Sequence, residues 1–472
     1  MSRKSDGKAA ESRQFFGKSR TGTQTMPPRD RTPRERPIPS SRFSRLTRFG
    51  GMAGGLAGNV LLEGAGRLAS GQRPRLADLL LTPGNVKRVT DQLSELRGAA
   101  MKLGQLVSMD DGDFLPPELA EIMGRLRADA DPMPKAQLEA VLARNWGRDW
   151  RKRFEYFQDR PIAAASIGQV HRALTHDGRD LAIKVQYPGI VRSIDSDVDN
   201  VATLLKMTGL IPRQLDVSPL LNEAKCQLHE EADYEHEAEC LNRFRELLKD
   251  DPRFLLPAVH DDFSTGEVLA MTYLDSAPIE TLFTADQESR DRTATSLIEL
   301  ALKELFVFRT MQTDPNLANF RVERHAKPGE ERIVLLDFGA TRSFAEKLVE
   351  DCRSLMRAAL AVDRQAADHA LADLDLVSDR VPAPKRAQIL DLFEIAANLL
   401  DRGSRFDFGK EEIFETMREE GMKLAEDRQV YLVPPVDTLF LQRKFGGIYL
   451  MCLRLRARVD ARALLEAHAA AG

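Results

Sequence analysis

Between residues 160 and 275 the apolar residues fall in short runs that are separated by turn-forming residues. Ile167–Ala173 and Leu181–Val185 have the length and composition of β-strands, and His176-Asp177-Gly178 lies between them. Asp-Gly is a strong signal for a tight hairpin turn. The pattern predicts a hairpin over these segments and a further strand at Val268–Leu274.

Elsewhere the apolar residues recur at steps of three and four, which is the period of an amphipathic helix. Thr82-Pro83 supplies an N-cap and a first helical residue, and it is followed by the apolar positions Leu93, Leu96, Ala100, Leu103 and Val107. One long helix is predicted from Ser218 to about Lys249 and another over residues 290–311. Beyond residue 345 nearly the whole chain is predicted to be helical.

The order of these elements predicts an α+β protein with a small β-rich lobe followed by a large helical lobe. The predicted domains are a basic tail over residues 1–50, a helical extension over 51–135, an N-lobe over 136–275 and a C-lobe over 276–472. A chain of 472 residues exceeds a single typical core, which agrees with two lobes.

Charge changes the interpretation of the tail. Residues 1–50 contain thirteen Lys or Arg and four Asp or Glu, whereas the whole chain has a net charge of −4. The first forty residues are also poor in aliphatic side chains, so we expect disorder there. The tail either contacts an anionic membrane surface or is simply solvated. No run of 18 uncharged apolar residues occurs, and the four cysteines are isolated, so neither a membrane-spanning helix nor a disulfide framework is predicted.

Two acidic segments carry the candidate chemistry. Asp314 and Asn319 have the five-residue interval of a protein-kinase catalytic loop, and Asp337-Phe338-Gly339 follows an apolar strand. Phosphoryl transfer needs a carboxylate near the attacking group, together with an amide oxygen and a second carboxylate on metal ions. We therefore expect Asp314 at the catalytic-base position and Asn319 and Asp337 as magnesium ligands. The usual His-Arg before the catalytic aspartate is replaced by Gln312-Thr313.

A strand lysine and a helix glutamate complete the kinase pattern. Lys184 lies in Ala182-Ile183-Lys184, 130 residues before Asp314, and is the candidate contact for ATP phosphates. Kinases pair this lysine with a helix glutamate, and Glu231 is the candidate in this chain. A glutamate-rich helix is more commonly just a solvated face, and a lone strand lysine is usually a surface residue.

The expected glycine-rich nucleotide loop is replaced by alanines. Its place is held by four small residues that we expect to cover the phosphates: Ala163, Ala164, Ala165 and Ser166. Because alanine restricts the backbone more than glycine does, the loop should be stiffer. Taken alone, the stretch would favour a small-residue strand packed under a helix. His229 and His236 among carboxylates allow a metal cluster, but the second ligand set of a di-iron site is missing.

Six motifs together resemble the UbiB/ADCK family of atypical kinase-like proteins, over about residues 85–450. They are Lys102-x-Gly-Gln105, Ala163-Ala-Ala-Ser-Ile-Gly-Gln-Val-His171, Lys184-Val-Gln-Tyr-Pro-Gly189, Glu231-x-Asp233-Tyr-x-x-Glu237, Gln312-Thr-Asp-Pro-Asn316 and Asp337-Phe-Gly-Ala-Thr-Arg342. The Gln-Thr-Asp-Pro-Asn form is similar to the coenzyme Q biosynthesis branch.

The resemblance implies a protein-kinase-like bilobal fold with an N-terminal helical extension packed over the active site. It implies ATP and Mg²⁺ as cofactors, with Lys184 on the phosphates and paired with Glu231. Lys102 and Gln105 would reach into the nucleotide site and occlude the place where a peptide would dock.

We therefore expect an atypical kinase-like ATPase that supports ubiquinone biosynthesis at or near a membrane. Its partners would be adenine nucleotide, quinone-biosynthesis proteins and an anionic membrane surface, with no nucleic acid. It would be cytoplasmic and peripheral at the inner membrane, or mitochondrial in a eukaryote. The alternatives are a nucleotide-gated scaffold with little turnover that binds lipid or protein, and an ordinary protein kinase.

Overall fold

The computed structural model describes residues 132–207, 218–324, 329–377, 381–400, 405–410 and 435–470, together with Ala99. The predicted basic tail, the helix after Thr82 and the Lys102/Gln105 motif lie outside these residues, apart from Ala99. They stay predictions, as do the domain bounds.

Helices and strands in the described residues are numbered in chain order. The helices are α1 (Lys135–Trp146), α2 (Ile194–Met207), α3 (Ser218–Glu231), α4 (Tyr234–Leu247), α5 (Gln287–Phe306), α6 (Glu346–Ala361), α7 (Arg364–Asp373), α8 (Ala383–Leu400), α9 (Val436–Leu455) and α10 (Ala461–Ala469). The strands are β1 (Phe154–Phe157), β2 (Ala163–Ala164), β3 (Gly168–Thr175), β4 (Asp180–Gln186), β5 (Phe254–Leu255), β6 (Val268–Thr272), β7 (Ser276–Pro278), β8 (Thr310–Gln312), β9 (Phe320–Glu323), β10 (Ile333–Leu335), β11 (Thr341–Ser343), β12 (Phe406–Asp407) and β13 (Arg458–Val459).

A five-stranded antiparallel sheet has the order β1-β3-β4-β6, with β2 added on β3. The predicted β3–β4 hairpin is confirmed, and Gly178 in its turn has a φ of +85° that favours glycine. One face of this sheet is covered by an apolar cluster to which α1 contributes, including Leu138, Val141 and Trp150. The register places Lys184 between Val170 and Leu269, in the middle of the sheet.

The single helix predicted from Ser218 to about Lys249 is wrong, because the structure has two helices, α3 and α4, that are separated at Ala232-Asp233. Asp233 has a non-helical backbone, and its side chain accepts a hydrogen bond from the backbone N–H of His236. An aspartate cap of this kind competes with continuation of the helix and starts a new one. Because of this break, the acidic residues before Ala232 and those after Asp233 belong to two separate helices.

The predicted helix over residues 290–311 ends earlier, at Phe306, and residues Thr310–Gln312 form strand β8. Strand β8 pairs with β11, so that Gln312 lies opposite Thr341. A separate four-stranded sheet has the order β5-β10-β9-β7. Its strands β9 and β10 come between β8 and β11 in the sequence. These two small sheets fix the segments that contain Asp314 and Asp337.

The remaining described chain is mainly helical, and α5 and α9 contribute to a large apolar cluster with β9 and β10. Together with the antiparallel sheet this confirms the predicted α+β class. Among the described helices, none is both long enough and apolar enough to cross a membrane.

Candidate active site

The aspartates of the two acidic segments are delivered by strand ends. Asp314 follows β8, and Asp337 follows β10 after one intervening leucine. The two segments are joined at Thr313, whose backbone N–H and hydroxyl both donate to the carbonyl oxygen of Ala340 at 2.8 Å. Direct hydrogen bonds therefore bring together two segments whose aspartates are 23 residues apart in the sequence.

Lys184 forms the central ion pair of the site. Its Nζ lies 2.7 Å from both carboxylate oxygens of Glu237 and 3.8 Å from Oδ2 of Asp337. The lysine and glutamate side chains are 9% and 2% exposed, whereas Asp337 is 39% exposed. Burial alone would lower the pKa of Lys184, but the carboxylates of Asp337 and Glu237 outweigh it and raise that pKa. Burial raises the pKa of Glu237 to about 7.

The predicted pairing of Lys184 with Glu231 is wrong, because Glu237 on α4 takes that place. Glu231, the last residue of α3, instead accepts a hydrogen bond from the hydroxyl of Ser166. The helix break at Asp233 explains the exchange, since it separates Glu231 from the helix that faces Lys184. Glu231 thus connects the acidic segment to the alanine loop.

The alanine loop is partly a strand. Ala163 and Ala164 form β2, pair with Val170 and Gln169 and are exposed. The backbone N–H of Ala165 donates to the carbonyl of Gly168 at 2.9 Å, which closes the turn. The small side chains therefore lie on an exposed hairpin edge whose turn contains Ser166, the residue bonded to Glu231.

Asp314 is held from two sides. Its Oδ2 accepts a hydrogen bond from the amide of Asn319 at 3.0 Å, and its Oδ1 accepts one from Nη2 of Arg443 at 2.9 Å. The carboxylate and the guanidinium are 15% and 12% exposed. Arg443 lies on α9, and sequence reasoning missed it because no spacing rule relates residues 129 positions apart.

A second ion pair lies under the same loop. Nζ of Lys444 donates to the carbonyl oxygen of Gln312 at 2.6 Å and lies 3.1 Å from Glu304. Both side chains are 2% exposed. Burial raises the pKa of Glu304. Gln312 stands where ordinary kinases have the histidine of the His-Arg pair, and a buried lysine fixes it. Sequence reasoning missed this lysine as well.

Two oxygen donors are suited to a magnesium ion. Asn319 uses its amide N–H groups on Asp314, at the carboxylate and the backbone carbonyl, which leaves its amide oxygen for a cation. Asp337 accepts a hydrogen bond from the backbone of Gly339 at 3.1 Å through Oδ1. Mg²⁺ commonly binds through one or two protein oxygens together with substrate phosphates and water. These residues fit that ion.

The histidines of the acidic helices are not gathered into a cluster. His229 contacts Asp195 at 3.2 Å, and His236 lies 3.4 Å from Sγ of Cys240. In the described part of the chain, no group of three or more His, Cys, Asp or Glu side chains could hold a metal ion.

Comparisons with known proteins show the family to which this chain belongs. Residues 125–371 match the ABC1 atypical kinase-like domain. The chain is 37% identical over 433 residues to the mitochondrial atypical kinase COQ8 of Saccharomyces cerevisiae, which covers 91% of this chain and 85% of that protein. It is 36% identical to the mitochondrial atypical kinase COQ8B of Danio rerio, over 91% of this chain and 68% of that protein. The structure of the Rv3197–erythromycin complex from Mycobacterium tuberculosis superposes with a TM-score of 0.56 at 25% identity, covering 79% of this chain and 93% of the other.

Proposed function

We propose that this chain, which belongs to the ABC1 atypical kinase-like family, is a Mg²⁺-dependent ATPase or small-molecule phosphotransferase that supports ubiquinone biosynthesis. The family resemblance and the kinase-like bilobal fold predicted from the sequence are confirmed by the comparisons. The nucleotide, the ion and the acceptor of the phosphoryl group belong to the proposal.

The observation that carries the proposal is the buried Lys184–Glu237 pair beside the half-exposed Asp337. In kinases such a pair orients the lysine toward the phosphates of ATP, and the neighbouring aspartate faces a metal ion. Only the Asp337 side of this group is open to solvent, so a phosphate would approach from there.

Each residue then has a role. Lys184 would contact phosphate oxygens while Glu237 orients it. Asn319 and Asp337 would hold Mg²⁺, which neutralises developing charge on the phosphoryl group when bound. Asp314 would orient the attacking group, and Ala163 to Ser166 would cover the nucleotide. Lys102 and Gln105 remain proposed contacts from outside the described residues.

The biological setting is inferred from the relatives. The similar proteins are named as mitochondrial COQ8 kinases, and their name supports a role in coenzyme Q biosynthesis. We propose quinone-biosynthesis proteins as partners and a peripheral position at an anionic membrane, with the basic residues of the tail as the attracting charge. Flotation with anionic liposomes, with and without residues 1–50, tests the membrane contact. Equal flotation of both proteins contradicts the role of the tail, and no flotation of either contradicts the membrane position.

The site assignment is tested by Asp337→Asn. The variant should lose Mg²⁺-dependent binding of ADP in titration calorimetry, because an amide is a poorer ligand than a carboxylate and cannot balance the charge of Lys184. Asp373→Asn on α7, an exposed aspartate, is the matched control and should bind normally. Unaltered binding by Asp337→Asn would contradict the assignment.

A nucleotide-gated scaffold is the second candidate. It is favoured by the fact that both oxygens of Asp314 already accept hydrogen bonds from protein groups, namely Arg443 and Asn319. Phosphate release measured with and without anionic liposomes separates the two. A scaffold would bind Mg²⁺–ADP and release no phosphate from ATP in either condition.

A further inference from the structure

Helix α9 contacts the Asp314 loop at three successive points. Arg443 bonds to Asp314, Lys444 donates to the carbonyl of Gln312, and a Cβ at Gly447 would lie 2.3 Å from Cβ of Pro315. The helix backbone at Gly447 therefore packs directly against the ring of Pro315. Nothing in this contact involves the strand or helix that contributes Lys184 and Glu237.

In the described part of the chain, the positive charge that pairs with Asp314 comes from this helix. The loop from Gln312 to Asn319 contains no lysine or arginine. In the described residues the ion pair of Asp314 is made with Arg443, and both side chains are mostly buried. At such burial an ion pair is screened far less by water than at the surface, and its geometry is correspondingly well defined.

We propose that Arg443 is a positioning residue for phosphoryl transfer, a role that rests on the function proposed above. Arg443 fixes Oδ1 of Asp314, and Oδ2 of Asp314 in turn fixes the amide of Asn319. The guanidinium thereby orients the carboxylate at the catalytic position directly, whereas the amide of Asn319 is also held by the backbone carbonyl of Asp314. The specific consequence is a loss of turnover without a matching loss of nucleotide affinity.

A merely structural role is supplied by the neighbouring residue. Lys444 is more deeply buried than Arg443, pairs with Glu304 and holds the carbonyl of Gln312. Because that pair and the close approach of Gly447 already fasten α9 to the loop, Arg443 is the residue of this helix whose contact is confined to the reactive side chain.

The test compares Arg443→Met and Arg443→Lys with the wild-type chain. Arg386→Met is the matched control, because it removes an arginine that pairs with Asp368 between α7 and α8, in a different apolar cluster. Titration with Mg²⁺–ADP gives affinity, and phosphate release from Mg²⁺–ATP gives kcat. Arg443→Met should lower kcat by about 10- to 100-fold, since small misplacements of reacting groups have effects of that size, and should change Kd by less than about threefold. Arg443→Lys should recover part of kcat, and Arg386→Met should change neither quantity.

Asp314→Asn alone and combined with Arg443→Met provides a second measurement. If Arg443 acts through Asp314, adding Arg443→Met to Asp314→Asn should lower kcat by less than about twofold, because residues that act as a unit are not additive. If Arg443→Met does not fold, Arg443→Lys decides: a several-fold loss of kcat at unchanged Kd supports the role.

Three results overturn the proposal. They are a wild-type kcat in Arg443→Met (or in Arg443→Lys, where only that variant folds), a parallel loss of kcat and affinity, and full additivity with Asp314→Asn. In all three the wild-type chain releases phosphate, so the proposed ATPase stands. If the wild-type chain binds Mg²⁺–ADP but releases no phosphate, the proposed function and the inference both fail.

Discussion

Two buried lysine–glutamate pairs in the described part of the chain differ in what surrounds them. Lys184–Glu237 has a third charged neighbour, Asp337, whose side chain is 39% exposed. Both side chains of Lys444–Glu304 are 2% exposed, and the lysine holds the backbone of Gln312. The same kind of pair is therefore open to solvent through a neighbour in one place and fully buried in the other. The exposed carboxylate of Asp337 beside Lys184 is the feature that distinguishes the two pairs.

Removing the lysine of the Lys444–Glu304 pair should have the larger effect on the free energy of unfolding. Lys444→Met would leave the carboxylate of Glu304 buried without its partner, and removing one member of a buried pair typically costs about 3–5 kcal/mol. The free energy of unfolding from urea titration measures this. The double variant Glu304→Leu with Lys444→Met should recover part of the loss, because it removes the unpaired buried charge but still leaves the backbone N–H and carbonyl of Gln312 without their partners. A double variant that is less stable than the single one would contradict this assignment.

Removing the lysine of the Lys184–Glu237 pair should affect ligand affinity more than stability. Lys184→Met should reduce affinity for Mg²⁺–ADP by at least about 100-fold, because a charged contact to phosphate is lost in a partly desolvated site. Its loss of unfolding free energy should be smaller than that of Lys444→Met, since Lys444 also donates to the buried backbone carbonyl of Gln312. Titration calorimetry and urea unfolding on the same samples check both statements. Equal destabilisation by the two lysine variants would remove the distinction between the pairs.

Two adjacent glycines on α9 allow a further test of how closely this helix packs against the loop, with smaller expected changes in stability. Gly447→Ala would place a methyl group against Pro315, and such overpacking costs about 1–3 kcal/mol. Gly446→Ala meets nothing within 4 Å and should stabilise the helix by up to about 1 kcal/mol. Urea unfolding of the two variants should therefore give changes of opposite sign. Changes of the same sign would mean that the close approach of α9 to the loop is relaxed in solution.

The sequence predicted the parts of this site that depend on spacing within one segment. Asp314 and Asn319 are five residues apart on one loop, and the structure joins them by hydrogen bonds. Lys184 was recognised from its strand. The glutamate partner was misassigned because a single helix was assumed through Asp233, and the cap at that residue changes which carboxylate faces the lysine.

Contacts between distant segments could not be predicted in this way. Arg443 and Lys444 approach the loop from 129 and 132 residues away, and a lysine or arginine on an amphipathic helix carries no signal of its partner. Thr310 and Met311 of β8 were predicted as helix, because the pairing of this strand with β11 is a long-range contact that overrides local preference.

The contact between α9 and the Asp314 loop also sets an order of events during biosynthesis. A ribosome that adds about 5–20 residues per second needs roughly 6–26 s to proceed from Asp314 to Arg443. Throughout that interval the nascent chain already contains Lys184, Asp314 and Asp337 but lacks the helix that fixes the loop. The proposed site is thus complete only after α9 has been made, and a ribosome that stalls before α9 would release a chain in which Asp314 lacks its contact with Arg443.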